Sequence, residues 1–148
     1  MAITDRSGLP IAACIASASP AEVTLVDETL DSGFLDVEPE RLIGDKAYDS
    51  DPLDEKLMLE RGIEMISPNR RNRKKRTQDG RPLRRYRHRW KVERLFAWLH
   101  NFRRLVIRWE RHPENFLGFL TIGVFLFRIR RNGADAVPRF ICLLEGYQ

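Results

Sequence analysis

Tyr86, Arg89, Glu93 and His100 bring a phenol, a guanidinium, a carboxylate and an imidazole into one stretch, YRHRWKVERLFAWLHNFRR. Such groups grip phosphate or hold one another through charge-assisted hydrogen bonds. Their spacings of three, four and seven residues stack them along one line of a helix. Val92, Leu95, Phe96 and Leu99 form an adjacent apolar stripe, the pattern of a helix packed against a core. The polar line therefore borders the buried face and can edge a cleft. The residues alone leave a blander reading open, because a Glu four positions after an Arg is also the ordinary solvated ion pair of a helix.

A second carboxylate, Asp45, ends the short apolar run Arg41 to Gly44. Open α/β sheets place ligand-binding groups at such strand ends, although an Asp there serves equally well to form a turn. Asp49 and Asp51 read as turn and cap.

The order tyrosine, two residues, arginine, three residues, glutamate, six residues, lysine resembles the signature of the DDE transposases of bacterial insertion sequences. Tyr86, Arg89 and Glu93 match it, and His100 stands where the lysine usually is. Upstream, LIGDKAYDSDPLDE, Leu42 to Glu55, is similar to the strand and turn that carry the family's second catalytic Asp, which would be Asp45. The two motifs lie 48 residues apart, and the resemblance runs from about Thr4 to Arg131.

The resemblance implies an α/β, ribonuclease-H-like mixed sheet with flanking helices. It also implies a site in which three carboxylates hold two divalent ions, Mg²⁺ or Mn²⁺, about 4 Å apart for DNA cleavage and strand transfer. Asp45 and Glu93 would be two of those ligands, since Mg²⁺ takes hard oxygen donors. Tyr86, Arg89 and His100 would contact DNA or position the glutamate. The family's first Asp lies on a strand ahead of the region where this chain begins. Asp5 sits in a turn after only four residues and is set aside, so the expectation is an N-terminally truncated catalytic domain, inactive alone. The partners implied are DNA at the transposon ends, the product of an upstream reading frame and a second copy of the chain.

The elements that must position these groups follow from periodicity. Leu9 to Ala16 is an apolar run suited to a strand covered on both sides, with Ile3 as the stub of its partner across the Asp5–Gly8 turn. Ser19-Pro20-Ala21-Glu22 reads as a capping box opening a helix that carries Val23, Val26 and Leu30 and stops at Gly33. Asp51-Pro52 begins a second helix, with Leu53, Leu57 and Met58 inward and Gly62 as its stop. Ile63 to Ser67 is a further strand. The organising helix is expected over 84–106, and a buried core helix follows His112-Pro113-Glu114, apolar from Phe116 to Phe127 and too short for the ~20 residues of a membrane span. Residues 1–131 thus form one domain, and 132–148 an unassigned tail.

Charge is segregated along the chain. Residues 1–60 hold 4 Lys/Arg against 14 Asp/Glu, whereas 61–131 hold 21 against 5. A basic half of that strength suits a polyphosphate partner through counterion release. Within it, the segment 68–82 contains RRNRKKR without apolar periodicity and reads as a mobile basic loop, with Arg70, Arg71, Arg73, Lys74, Lys75 and Arg76 as candidate DNA contacts. The two cysteines, Cys14 and Cys142, have neither disulfide-framework nor zinc spacing, and MAITDRSG lacks the features of an export signal. A cytoplasmic, nucleoid-associated protein is expected. A non-catalytic basic DNA-binding protein is the alternative, and the few aromatics outside the core stripe argue against an RNA base-stacking platform.

Overall fold

The computed structural model describes residues 1–17, 19–34, 38–74, 83–131 and, as backbone, 141–143. Five short strands form one mixed sheet in the order β2-β1-β5-β3-β4. β1 (Ala2–Asp5) and β2 (Pro10–Ala13) make an antiparallel hairpin, β3 (Arg41–Ile43) and β4 (Glu64–Ile66) a parallel pair. β5 (Ile141–Leu143) joins the two, antiparallel to β1 and parallel to β3. The sequence leads one to expect an unrelated tail from residue 132. Three residues of it instead lie in the middle of the sheet, because the free edges of β1 and β3 both offer unpaired backbone groups.

Strand side chains alternate between two packed layers, as the period of two requires. Ile3, Leu42 and Met65 point to one face, where they meet Val26, Leu53, Leu57 and Tyr48. This layer is built by α1 (Val26–Asp31) and α2 (Asp51–Arg61). Ala2 and Ala13 point to the other face, against Leu95, Leu99, Leu105, Val124 and Phe127. Ile43 and Ile66 share that face at the β3–β4 end and receive Leu83 and Tyr86. The layer contains α3 (Trp90–Leu99), α4 (Arg103–Val106) and α5 (Pro113–Arg130). Helices on both faces explain why the strands are apolar on both sides.

Several element boundaries differ from expectation for local reasons. The first helix opens as a 3-10 turn over Glu22–Leu25, with Ala21 in the cap position and no side-chain cap bond, so the expected capping box is not formed. Thr24 Oγ1 donates to the Ala21 carbonyl instead. α2 ends at Gly62, whose φ of 67° is the left-handed conformation of a C-terminal cap. Met58 is half-exposed, because only Leu53 and Leu57 face the sheet. The long helix expected over 84–106 is three pieces: a 3-10 turn at Arg84–His88, then α3, then α4, with Asn101 and Phe102 turning the chain between the last two. α5 is not buried all round. Gly123, Val124 and Phe127 face the core, whereas Ile122, Phe125, Leu126 and Ile129 are exposed.

Candidate functional site

The carboxylate Asp45 stands two residues beyond β3, and it is held there by its own turn. It caps the 3-10 turn Lys46–Tyr48, its Oδ1 accepting the Ala47 N–H at 2.7 Å. Tyr48 closes the turn from below. Its ring is fully buried, and burial pushes its phenol well above the usual range. Gly44 makes this possible, since a Cβ there would stand 2.7 Å from the Tyr48 ring and 2.6 Å from the end of Met65. Chain direction, a missing side chain and a buried aromatic thus aim Asp45 away from the core.

Glu93 reaches the same place from the opposite layer. It lies in the first turn of α3, which is fixed on the sheet by the buried stripe Val92, Leu95 and Leu99. Arg89, immediately before α3, joins the two acids. Its Nη2 donates to Glu93 Oε1 at 2.6 Å, and its Nη1 lies 3.9 Å from Asp45 Oδ2. The guanidinium carbon also stands 5.7 Å from the centre of the Tyr86 ring, which rests on Ile43 and Ile66 at the ends of β3 and β4. Tyr86, Arg89, Glu93 and Asp45 are therefore one cluster, and Arg89 is only 20% exposed within it.

Two carboxylates sharing a guanidinium between them are arranged around a cation. Their oxygens are hard donors of the kind that Mg²⁺ or Mn²⁺ prefers, and Asp45 and Glu93 remain 33% and 43% exposed, open to solvent ions. The donor set fits such an ion, though incompletely. Among the described residues no third His, Cys, Asp or Glu joins them in a metal-binding group. Asp5 is elsewhere: its buried carboxylate accepts the Ser7 and Leu9 N–H groups and closes the β1–β2 hairpin. His100 caps the far end of α3, seven residues or ~10 Å of helical rise from Glu93.

The basic segment is divided. Arg70, Arg71 and Lys74 are exposed, Arg73 is half-buried, and Lys75 and Arg76 lie outside the described residues. Arg70 and Arg73 are folded back onto the Asp45 turn. Arg70 donates to the carbonyls of Lys46 and Ala47, and Arg73 pairs with Asp49 and Asp51. Asp49 is the residue whose role the sequence understated. Its side chain is only 2% exposed, and it also accepts the Arg70 N–H at 2.6 Å. A signal existed in the charge pattern, with the acids of DKAYDSD preceding the bases of RRNRKK by some twenty residues.

Comparison with known proteins places the chain among relatives. A putative transposase for insertion sequence element IS402 from Burkholderia cepacia is 36% identical over 132 residues, which is 84% of this chain and 59% of that relative's length. No solved structure matches. The family model described as Transposase DDE domain matches residues 1–126, a range that spans most of the two-layered domain, and the chain belongs to that family.

Proposed function

We propose that this chain supplies two of the three carboxylates of an insertion-sequence transposase, Asp45 and Glu93, in a site that cleaves and joins DNA with divalent metal ions. The observation that carries this reading is the convergence of both acids on one guanidinium, Asp45 from a strand end and Glu93 from a helix packed on the sheet. Bound there, Mg²⁺ or Mn²⁺ would activate water or a DNA 3′-hydroxyl and stabilise the leaving oxygen. Asp45 and Glu93 contribute oxygen ligands. Arg89, with Tyr86 beneath it, would hold a DNA phosphate beside the two acids through its guanidinium. A ribonuclease-H-like fold is part of this reading, supported by the mixed sheet with an antiparallel hairpin beside a parallel pair.

In the same reading a third carboxylate, which does not stand beside Asp45 and Glu93 among the described residues, completes the site. Without that third ligand the chain binds DNA weakly and with strong salt dependence, through the exposed Arg71 and Lys74 and the bases around Arg84 to Arg89, and does not cut it. Nucleoid association follows from that binding. No described helix is long and apolar enough to cross a membrane.

The test is a Mn²⁺ titration followed by electron paramagnetic resonance, on the wild type, Asp45→Asn and Glu93→Gln, with DNA binding measured on the same proteins. Metal binding lost in both variants, with DNA binding retained, supports the proposal. Metal binding equal in all three makes the chain a non-catalytic DNA-binding protein. Metal-dependent cleavage by this chain alone, lost in Glu93→Gln, would show that the third ligand lies within it.

A further inference from the structure

The segment 69–73 contains arginines of the type that tracks a phosphate backbone, yet its hydrogen bonds run inward. The guanidinium of Arg70 reaches two successive carbonyls of the turn that Asp45 caps, with Nε 3.0 Å from the Lys46 oxygen and Nη2 2.6 Å from the Ala47 oxygen. These are the first two residues after Asp45. Both backbone polar groups of Ala47 are thereby held, its N–H by Asp45 Oδ1 and its carbonyl by Arg70.

Arg70 is itself held. Its backbone N–H donates to Asp49 Oδ2, while the other oxygen of that buried carboxylate takes Arg73. A turn closes the segment, the Arg73 N–H donating to the Arg70 carbonyl at 3.0 Å. Arg73 reaches further, to Asp51 at the start of α2. A buried carboxylate that accepts a backbone N–H and a guanidinium gives charge-assisted bonds, the kind that fix geometry. Arginine suits both places because its planar fork spans two acceptors, which a lysine ammonium does not reproduce.

We infer that Arg70 is a positioning residue for Asp45, and that Asp49 is the buried anchor that keeps it in place. The inference deepens the proposed function, since it rests on Asp45 being a metal ligand. It assigns Arg70, although exposed, and Arg73 to shaping the site, because their side-chain hydrogen bonds are already made to the turn and to Asp49 and Asp51, and leaves contact with DNA to Arg71 and Lys74 beside them. A ligand held on a short turn needs such support, because small displacements of a first ligand weaken a metal site markedly.

The experiment reads the turn directly and the metal separately. Amide hydrogen exchange is followed at Ala47 in the wild type, Arg70→Gln, Arg70→Lys and Asp49→Asn, with the amides of Leu42 and Leu57 as controls for the fold. Loss of the fork should speed exchange at Ala47 by about fivefold or more in Arg70→Gln and Asp49→Asn, with the controls unchanged. Arg70→Lys should fall between. Mn²⁺ affinity should drop by roughly three- to tenfold in the same two variants, within or below the range that outer-shell partners command. Unchanged exchange at Ala47 in Arg70→Gln overturns the inference. So does a fall in the salt dependence of DNA binding by about one counterion without faster exchange, which marks Arg70 as a phosphate contact. If Asp45→Asn leaves Mn²⁺ affinity unaltered, the metal reading fails, while the exchange result still decides whether Arg70 holds the turn. Should Arg70→Gln unfold the chain, Asp49→Asn carries the same decision with both guanidiniums retained.

Discussion

Arg89 and Glu93 are paired at 2.6 Å, and the same guanidinium faces Asp45 at 3.9 Å. The pairing at four residues' separation is what a solvated helix would show. The second acid, contributed by a strand end, is not. It turns an ordinary surface pair into a cation held between two carboxylates, and under the proposed function Arg89 would compete with a metal ion for the same oxygens.

Replacing Arg89 with Gln should therefore raise Mn²⁺ affinity, by several-fold, since it removes a positive charge lying within ~4 Å of both acids. DNA affinity should fall in the same protein. Calorimetric titration with MnCl₂ decides it, and weaker binding of Mn²⁺ in the variant would mean that Arg89 organises the acids and does not occupy their ion's place.

Gly44→Ala should destabilise the domain by about 1 to 3 kcal/mol, the usual cost of forcing extra volume into a packed core. The new methyl would press on the Tyr48 ring, which is buried and has no room to swing, and on Met65, which can yield. Thermal denaturation reads the loss. A variant as stable as the wild type would show that Tyr48 is free to move, and with it the turn of Asp45.

Asp54 offers a pH test of the α2 end of the site. Burial, then the neighbouring Asp51 and Asp49 carboxylates, push its carboxyl up to about 6, against a partial opposing pull from Arg73. The folded chain then holds a proton there that the unfolded chain loses nearer pH 4. Its contribution to stability is present in full below that lower value and is lost as pH rises through about 6. Asp54→Asn should melt higher than the wild type at pH 7.5, with the advantage vanishing by about pH 4. An advantage independent of pH would assign the effect to packing.

The outer face of α5 carries Ile122, Phe125, Leu126 and Ile129 exposed together. An apolar patch of this kind associates or binds apolar dyes. Ile122→Lys with Ile129→Lys should lower both self-association in sedimentation and the fluorescence of a bound naphthalene sulfonate dye, without lowering the melting temperature appreciably. Unaltered sedimentation and dye binding would show that the patch is inert.

Much of this architecture is legible in the sequence because it is local. The stripe Val92, Leu95, Leu99 and the proline and glycine that bound α2 specify their helices by spacing and by backbone preference alone. The placing of Tyr86, Arg89 and Glu93 on one line survives the change from a 3-10 turn to α-helix, because the break falls at Arg89 itself. What is not legible depends on contacts between distant segments. Nothing in RRNRKKR says that Arg73 will find Asp49, and nothing in the run from Phe116 to Phe127 says which side of α5 meets the sheet. Residues 141–143 are the clearest case. Three apolar residues carry no periodicity to read, and their place is set by the two edges that receive them.

That late strand has a consequence for how the chain is made. Among the described elements, only β5 hydrogen-bonds the hairpin to the parallel pair, and it follows every other element in the order of synthesis. A ribosome making this chain therefore delivers two separate ribbons with exposed edges first, and the sheet closes only after residues 141–143 have emerged. During that interval the edges of β1 and β3 are open to any extended segment nearby. The protein's vulnerability to mispairing therefore lasts until this one strand is in place.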